Sequence, residues 1–451
     1  MKLCICALFF VLFLSCLPNS LYANSEIDTD LSGIWSGAVE FPAFKFRIII
    51  IISSNEDNIA HIVFPDQSES QQEVKIEINF PNIELSSSEM QLNFSAVYSE
   101  NKITGNWEQM KRKMPLALQL VDEIALPHRP QTPKPPFPYS SQEVVFEHDG
   151  LSFSGTLTIP DSIKSCSAVI LIPGVGTHDR DNTFFGHKPF FVIADYLTRQ
   201  GIAVLRYDEI QGRETATTAD FAIDVKSAVK FLQSKEYISN IGLLGHSEGG
   251  LIASLVAADD PEIAFIILMA SPGLKGDEYN YQFEASMSRA MGASELEIER
   301  KLKLQRAVIS VISQSISDEK AEKEIKALYQ NFDSRISSSQ IDAAIQRFLS
   351  PWFKYSIRSD PGVVLQKVKC PVLALFGEKD WQVPPEGNLQ AVIDALESGS
   401  KWGYKVIEMP GLNHYMQNAV TGKPEEYGKI EESISVELLK FITSWISERK
   451  L

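Results

Sequence analysis

Basic residues are the first shortage. Lysine and arginine number 42 against 58 aspartates and glutamates, a formal net charge of −16 over 451 residues. Such a surface repels phosphate backbones and excludes a nucleic-acid partner. Long hydrophobic runs are scarce as well. The apolar stretch at 3–17 falls short of the ~20 residues that span a bilayer. A composition of 44% hydrophobic and 22% charged residues speaks against a polytopic membrane protein and against wholesale disorder. Cysteine is limited to 5 positions. Cys4, Cys6 and Cys16 fall in that first stretch, which leaves Cys166 and Cys370 beyond it. Histidine occurs 7 times, few enough for each to be weighed.

What is present divides the chain. A single core stops growing at roughly 250–300 residues, so more than one domain is expected. Lys2, the apolar stretch, Pro18 and then a small residue, Ala23, read as a secretory signal peptide over 1–23, with the mature chain exported to the periplasm or the medium. An uncleaved anchor, or a lipid attached at Cys16 in a loose lipobox, are the alternatives. Residues 26–125 carry short apolar or alternating runs at 44–52, 59–64, 74–78, 90–96 and 116–120 between Ser, Asn, Asp and Pro clusters, the pattern of a small all-β domain. The run 48–52 should be a central strand, and Trp35 and Trp107 core aromatics. Residues 126–140 are Pro-rich and read as a semi-rigid spacer.

From 141 to 451 strand-like and helical runs alternate. Strands are expected at 142–147, 153–158, 168–172, 203–207, 241–245, 265–269, 372–376 and 404–408. Helices are expected at 190–199, 221–233, 248–258, 387–397 and 430–448. That grammar makes a mostly parallel α/β sheet covered on both faces. About a hundred residues at 273–369, rich in helix formers, interrupt it and read as a helical cap.

The sharpest motif is Gly245-His246-Ser247-Glu248-Gly249-Gly250 between a strand and a helix. Gly-x-Ser-x-Gly in that setting is a nucleophile elbow, whose tight turn holds a serine hydroxyl above the sheet. A nucleophilic serine needs a base and the base an orienting carboxylate, here in the order serine, acid, histidine. His61, His128, His148, His178, His187 and His246 all precede or adjoin Ser247. Only His414 follows the last strand-like run, in Pro410-Gly411-Leu412-Asn413-His414. Asp380, in Phe376-Gly377-Glu378-Lys379-Asp380, is the expected acid, with Glu378 its rival.

Residues 142–447 resemble the α/β-hydrolase superfamily, and within it exported bacterial serine hydrolases related to carboxylesterases and serine aminopeptidase-like proteins. The carriers are LIPGVG at 171–176, Arg180-Asp181 with GHKPFF at 186–191, Arg206-Tyr207-Asp208, the elbow, 376–383 and 411–414. Gly33, Trp35, Gly37 and Gly105-Asn106-Trp107 resemble the β domain that precedes such enzymes. The resemblance implies cleavage of small esters or short peptides by Ser247, Asp380 and His414 with no metal or organic cofactor. It also implies an oxyanion hole made by the backbone N–H groups of Glu248 and of Val175 or a neighbour. Arg180, Asp181 and His187 are expected to brace the loop rather than meet substrate. After Asp208 the chain departs from its relatives, because Glu209 to Glu214 looks several residues short of the usual pocket-shaping loop. By the same fold analogy Cys166 and Cys370 lie on non-adjacent strands and stay free.

Overall fold

A computed structural model describes residues 30–449 apart from 41–44, 54–57, 66–67, 89, 110–111, 125–127, 162–163, 214, 335 and 400. The expected signal peptide, with Cys16, lies outside the described residues.

Eight antiparallel strands form the first unit: β1 Gly33–Glu40, β2 Lys45–Ile52, β3 Ile59–Phe64, β4 Ser68–Asn79, β5 Asn82–Ser87, β6 Leu92–Ser99, β7 Lys102–Gln109 and β8 Arg112–Val121. Each pairs with the next and β1 returns to β8, with Ile34 opposite Val121 and Gly37 opposite Leu118, so the barrel closes and no edge is left. Closure shelters the aggregation-prone β2, which pairs with β1 and β3. Side chains fill the interior. Trp35, Ile48, Ile50, Phe94 and Trp107 are buried there, and the Trp35 indole N–H donates to Leu31 O at 2.8 Å. A Cβ on Gly37 would lie 2.2 Å from Ala117 O, so the β1–β8 seam admits no side chain at that point.

The proline-rich segment is docked rather than a free spacer. Arg129 donates to Phe185 O, Gly428 O and Ile430 O, and Gln131 binds Ser433 and Ile434. The next strand begins inside the expected linker, at Tyr139. The sheet that follows comprises β9 Tyr139–His148, β10 Leu151–Pro160, β11 Cys166–Ile172, β12 Ala203–Tyr207, β13 Ile238–His246, β14 Ile263–Met269, β15 Val372–Gly377 and β16 Tyr404–Met409. Their spatial order is β16-β15-β14-β13-β11-β12-β10-β9, parallel from β12 to β16 with β9 and β10 antiparallel.

Helices cover both faces: α1 Pro189–Arg199, α2 Thr218–Gln233, α3 Glu248–Asp259, the series α4 Gly276–Ala290, α5 Glu295–Gln314, α6 Asp318–Phe332, α7 Ser338–Leu349, α8 Pro351–Ser356 and α9 Pro361–Leu365, then α10 Pro385–Gly399, α11 Pro424–Tyr427 and α12 Val436–Ser447. Two apolar cores, one on each face of the sheet, hold this α/β arrangement. The helix expected over 430–448 starts only at Val436. Ser435 caps it by accepting from Leu438 N, which leaves 430–434 as loop. From α4 to α8 the chain forms a helical layer with its own core, where Val308, Ile312, Ile345 and Phe348 are buried together and Leu304 and Val311 pack against them. Cys166 on β11 and Cys370, before β15, are free and buried, separated by β13 and β14.

Candidate active site

Ser247 follows the last residue of β13, the strand flanked by β11 and β14 at the middle of the sheet. Its φ of 56° and ψ of −122° lie where L-residues are strained. The turn is held by its neighbours: Ser247 N donates to Met269 O at 2.8 Å, and Gly250 N donates back to Ser247 O. The glycines are obligatory. A Cβ on Gly245 would sit 2.0 Å from Gly249 O, and one on Gly249 2.3 Å from Ile172 O. Glu248 opens α3, so its N–H belongs to the first turn, where backbone donors have no partner within the helix.

The loop after β11 crosses this point. Gly174 comes so close that its Cβ would touch Ser247 Cβ at 3.0 Å and Oγ at 3.5 Å. Val175 is next, exposed, its carbonyl accepting from His178 Nε2 at 3.0 Å. Ionic contacts brace the rest of the loop. Arg180 forks onto both oxygens of Asp208, with Nη2 to Oδ2 at 2.6 Å, and reaches Glu143 and Thr156; buried Arg206 pairs with Asp181 and lies over the Phe191 ring. Burial above all, then the charge of Arg180, lowers Arg206 to about 10. His187 is enclosed by Ser433 Oγ at 2.9 Å and Tyr427 O at 3.1 Å, and burial holds it down to about 4. All three residues expected as braces therefore bind protein groups.

Asp380 and His414, the expected acid and base, follow neighbouring strands. Asp380 lies in the turn after β15, 4% exposed. Its Oδ1 accepts from Gln382 N at 2.7 Å and Val383 N at 2.8 Å, while Oδ2 receives His414 Nδ1 at 2.8 Å. His414 follows β16 and is 3% exposed. Because Nδ1 donates to the carboxylate, a neutral ring leaves Nε2 as an acceptor. His414 also adjoins the elbow, since its carbonyl accepts from His246 Nε2 at 2.9 Å and the two rings lie 4.8 Å apart. Burial, and then the neighbouring His414, lower His246 to about 3, so it stays neutral. Glu378, the rival acid, is exposed and braces the turn by accepting from Gly411 N at 2.6 Å.

The sequence offered no sign of several residues around this centre. Phe184 stacks on Tyr415 at 3.8 Å, steadying the segment that carries His414. Thr218 and Trp352 both bond Glu248, 30 and 104 positions away. Glu209 accepts from His178 N at 2.8 Å, and burial, with the charges of Glu248 and Asp224, raises its carboxyl to about 8. Among the described residues no group of three or more His, Cys, Asp or Glu could hold a metal ion.

The sequence profile of the family described as serine aminopeptidase, S33, matches residues 166–418, a span that runs from β11 past His414. Esterase EstD of Thermotoga maritima is 25% identical over 321 residues, covering 68% of each chain. Among solved structures, Est1E from Butyrivibrio proteoclasticus is 16% identical, with a TM-score of 0.41, over 68% of this chain and 98% of its own. An esterase from Pyrococcus furiosus is 13% identical, with a TM-score of 0.41, over 72% and 98%.

Proposed function

The chain belongs to the serine aminopeptidase S33 family of α/β hydrolases, and from that premise we propose that it cleaves carboxylic esters through an acyl-enzyme on Ser247. The hydroxyl attacks the ester carbonyl while His414 Nε2 takes its proton. Asp380 holds the ring in the tautomer with Nδ1 protonated and stabilises the imidazolium as it forms. The N–H groups of Glu248 and Val175 receive the oxyanion in a position the strained elbow and Gly174 create. His414 then passes its proton to the departing alcohol, and water, activated the same way, releases the acid.

The observation that carries this reading is the 2.8 Å bond from His414 Nδ1 to a buried Asp380 that is itself fixed by two backbone donors, beside a serine at φ 56°. His246 is the nearer histidine in sequence, but its Nε2 is committed to the His414 carbonyl. The esterase relative favours ester over amide. A peptidase acting on short peptides is the second reading, favoured by the family's own description. A binding protein on a hydrolase scaffold is a third. Chromogenic esters of graded acyl length, run beside aminoacyl amides, separate them: turnover of esters alone supports the proposal, and turnover of amides alone replaces it with the second reading. The leader at 1–23 is proposed to export the chain, which sequencing of the secreted N-terminus checks.

A further inference from the structure

The chemistry above uses only the backbone of Glu248 and leaves its side chain unexplained. That carboxyl is buried, 9% exposed, and its Oε1 accepts two hydrogen bonds, from Thr218 Oγ1 at 2.6 Å and from Trp352 Nε1 at 2.7 Å. Neither donor is a cation, and burial raises the group above the ordinary glutamate value. An acid placed this deep is unfavourable unless its hydrogen bonds are made, so these two contacts hold the side chain in place and are held by it.

Each donor belongs to a different part of the molecule. Thr218 is the first residue of α2 and is buried; the capping box of Thr217 and Asp220 fixes that helix start, which ends the loop after Asp208. Trp352 lies in α8 of the helical layer. Its neighbour Phe353 is 1% exposed and packs edge-on against Phe348, 5.0 Å away, in that layer's own core. The first turn of the nucleophile helix, the start of α2 and the cap thus converge on one oxygen atom.

Resting on the esterase reading for its activity arm, we infer that the Glu248 carboxyl is a positioning group that sets substrate length, because it ties Trp352 of the cap and Thr218 of α2 to the residue beside Ser247. Removing the carboxyl frees the indole and the hydroxyl together. The cap, which Gln282 of α4 also ties to Glu386 O and Asn388, then loses its bond at α8, and α8 is no longer fixed against the residue beside Ser247. Thr218 and Trp352 act through Glu248 and need no contact with substrate.

The experiment uses the full chain as Glu248→Ala, Glu248→Gln, Trp352→Phe and the pair Glu248→Ala with Trp352→Phe. The values of kcat and KM are measured for a short and a long acyl ester of one alcohol, alongside hydrogen exchange of amides 352–356. Glu248→Ala and Trp352→Phe should each shift the long-to-short ratio of kcat/KM in the same direction by about fivefold or more, carried by KM more than kcat. The pair should go no further than the larger single change, and Glu248→Gln, whose amide oxygen accepts both bonds, should move the ratio back toward wild type. Exchange in α8 should quicken in the alanine and phenylalanine variants and not in glutamine. An unchanged ratio in Trp352→Phe, or additive shifts in the pair, overturns the inference. If the wild type turns over no ester, the activity reading fails by itself. The exchange arm still decides: quickening that glutamine prevents supports the tie, and unaltered exchange in both Glu248→Ala and Trp352→Phe refutes it. Should Glu248→Ala not fold, Trp352→Phe alone carries both arms.

Discussion

Replacing Asp380 by asparagine keeps shape and volume and changes which atoms can donate. In the native turn Oδ1 accepts from two backbone N–H groups and Oδ2 accepts from His414 Nδ1. An asparagine whose oxygen faces the two N–H groups must turn its NH₂ toward His414, where Nδ1 can then only accept. The ring's proton moves to Nε2, and the base can no longer take a proton from Ser247. The opposite amide orientation sets the NH₂ against two backbone donors and forfeits two hydrogen bonds, at a cost of about 2 kcal/mol or more. The turn therefore selects the inactive tautomer. In the serine-protease template the same exchange lowers kcat about 10⁴-fold, or about 5.4 kcal/mol at 1.36 kcal/mol per decade. The assay is kcat/KM on a short chromogenic ester, with a thermal melt to show the fold intact. An Asp380→Asn protein that folds and keeps more than about a tenth of wild-type activity would refute the role given to Asp380 and the tautomer argument with it.

Two further outcomes follow from the geometry. Arg129→Ala removes donors to Phe185 O, Gly428 O and Ile430 O. With charged donors contributing about 1.5–3 kcal/mol each and acting on shared segments, unfolding in urea should show a loss of about 2–4 kcal/mol; a loss below about 0.5 kcal/mol would mean that water replaces the clamp. Glu209 has a folded value of about 8 against an ordinary 4.5, so between those pH values it is protonated when folded and ionised when unfolded. Stability then falls as pH climbs from about 4.5 through about 8. Glu209→Gln, whose oxygen can still accept from His178 N, should gain on wild type across that window in melts from pH 5 to 9, and parallel curves would contradict the assignment.

The central strands of the α/β sheet were legible because each is a short, buried, apolar run bounded by turn residues, as in 168–172 and 372–376, while the edge strands β9 and β16 are mostly exposed or half-buried. The elbow was legible because glycines at 245 and 249 have no substitute where backbone carbonyls lie within 2.3 Å of any added Cβ. The barrel was read less completely. β1, β5 and β7 bury only two side chains each (Trp35 and Val39, Ile83 and Leu85, Ile103 and Trp107), so no apolar run marks them, and closure depends on β1 meeting β8 across some eighty residues. The helix expected from 430 was over-read because Ile430 and Ile434 continue an apolar pattern that the serines at 433 and 435 end, the latter as a cap. Trp352 gave no sign at all, since its partner Glu248 is 104 residues distant and only the folded cap brings them together.

Incubation with a fluorophosphonate followed by peptide mass analysis tests whether Ser247 is the nucleophile. One adduct per chain is expected, on the peptide holding Ser247, formed in step with loss of ester turnover and absent from Ser247→Ala. An adduct on another residue, or full ester turnover in a chain labelled at Ser247, would contradict it.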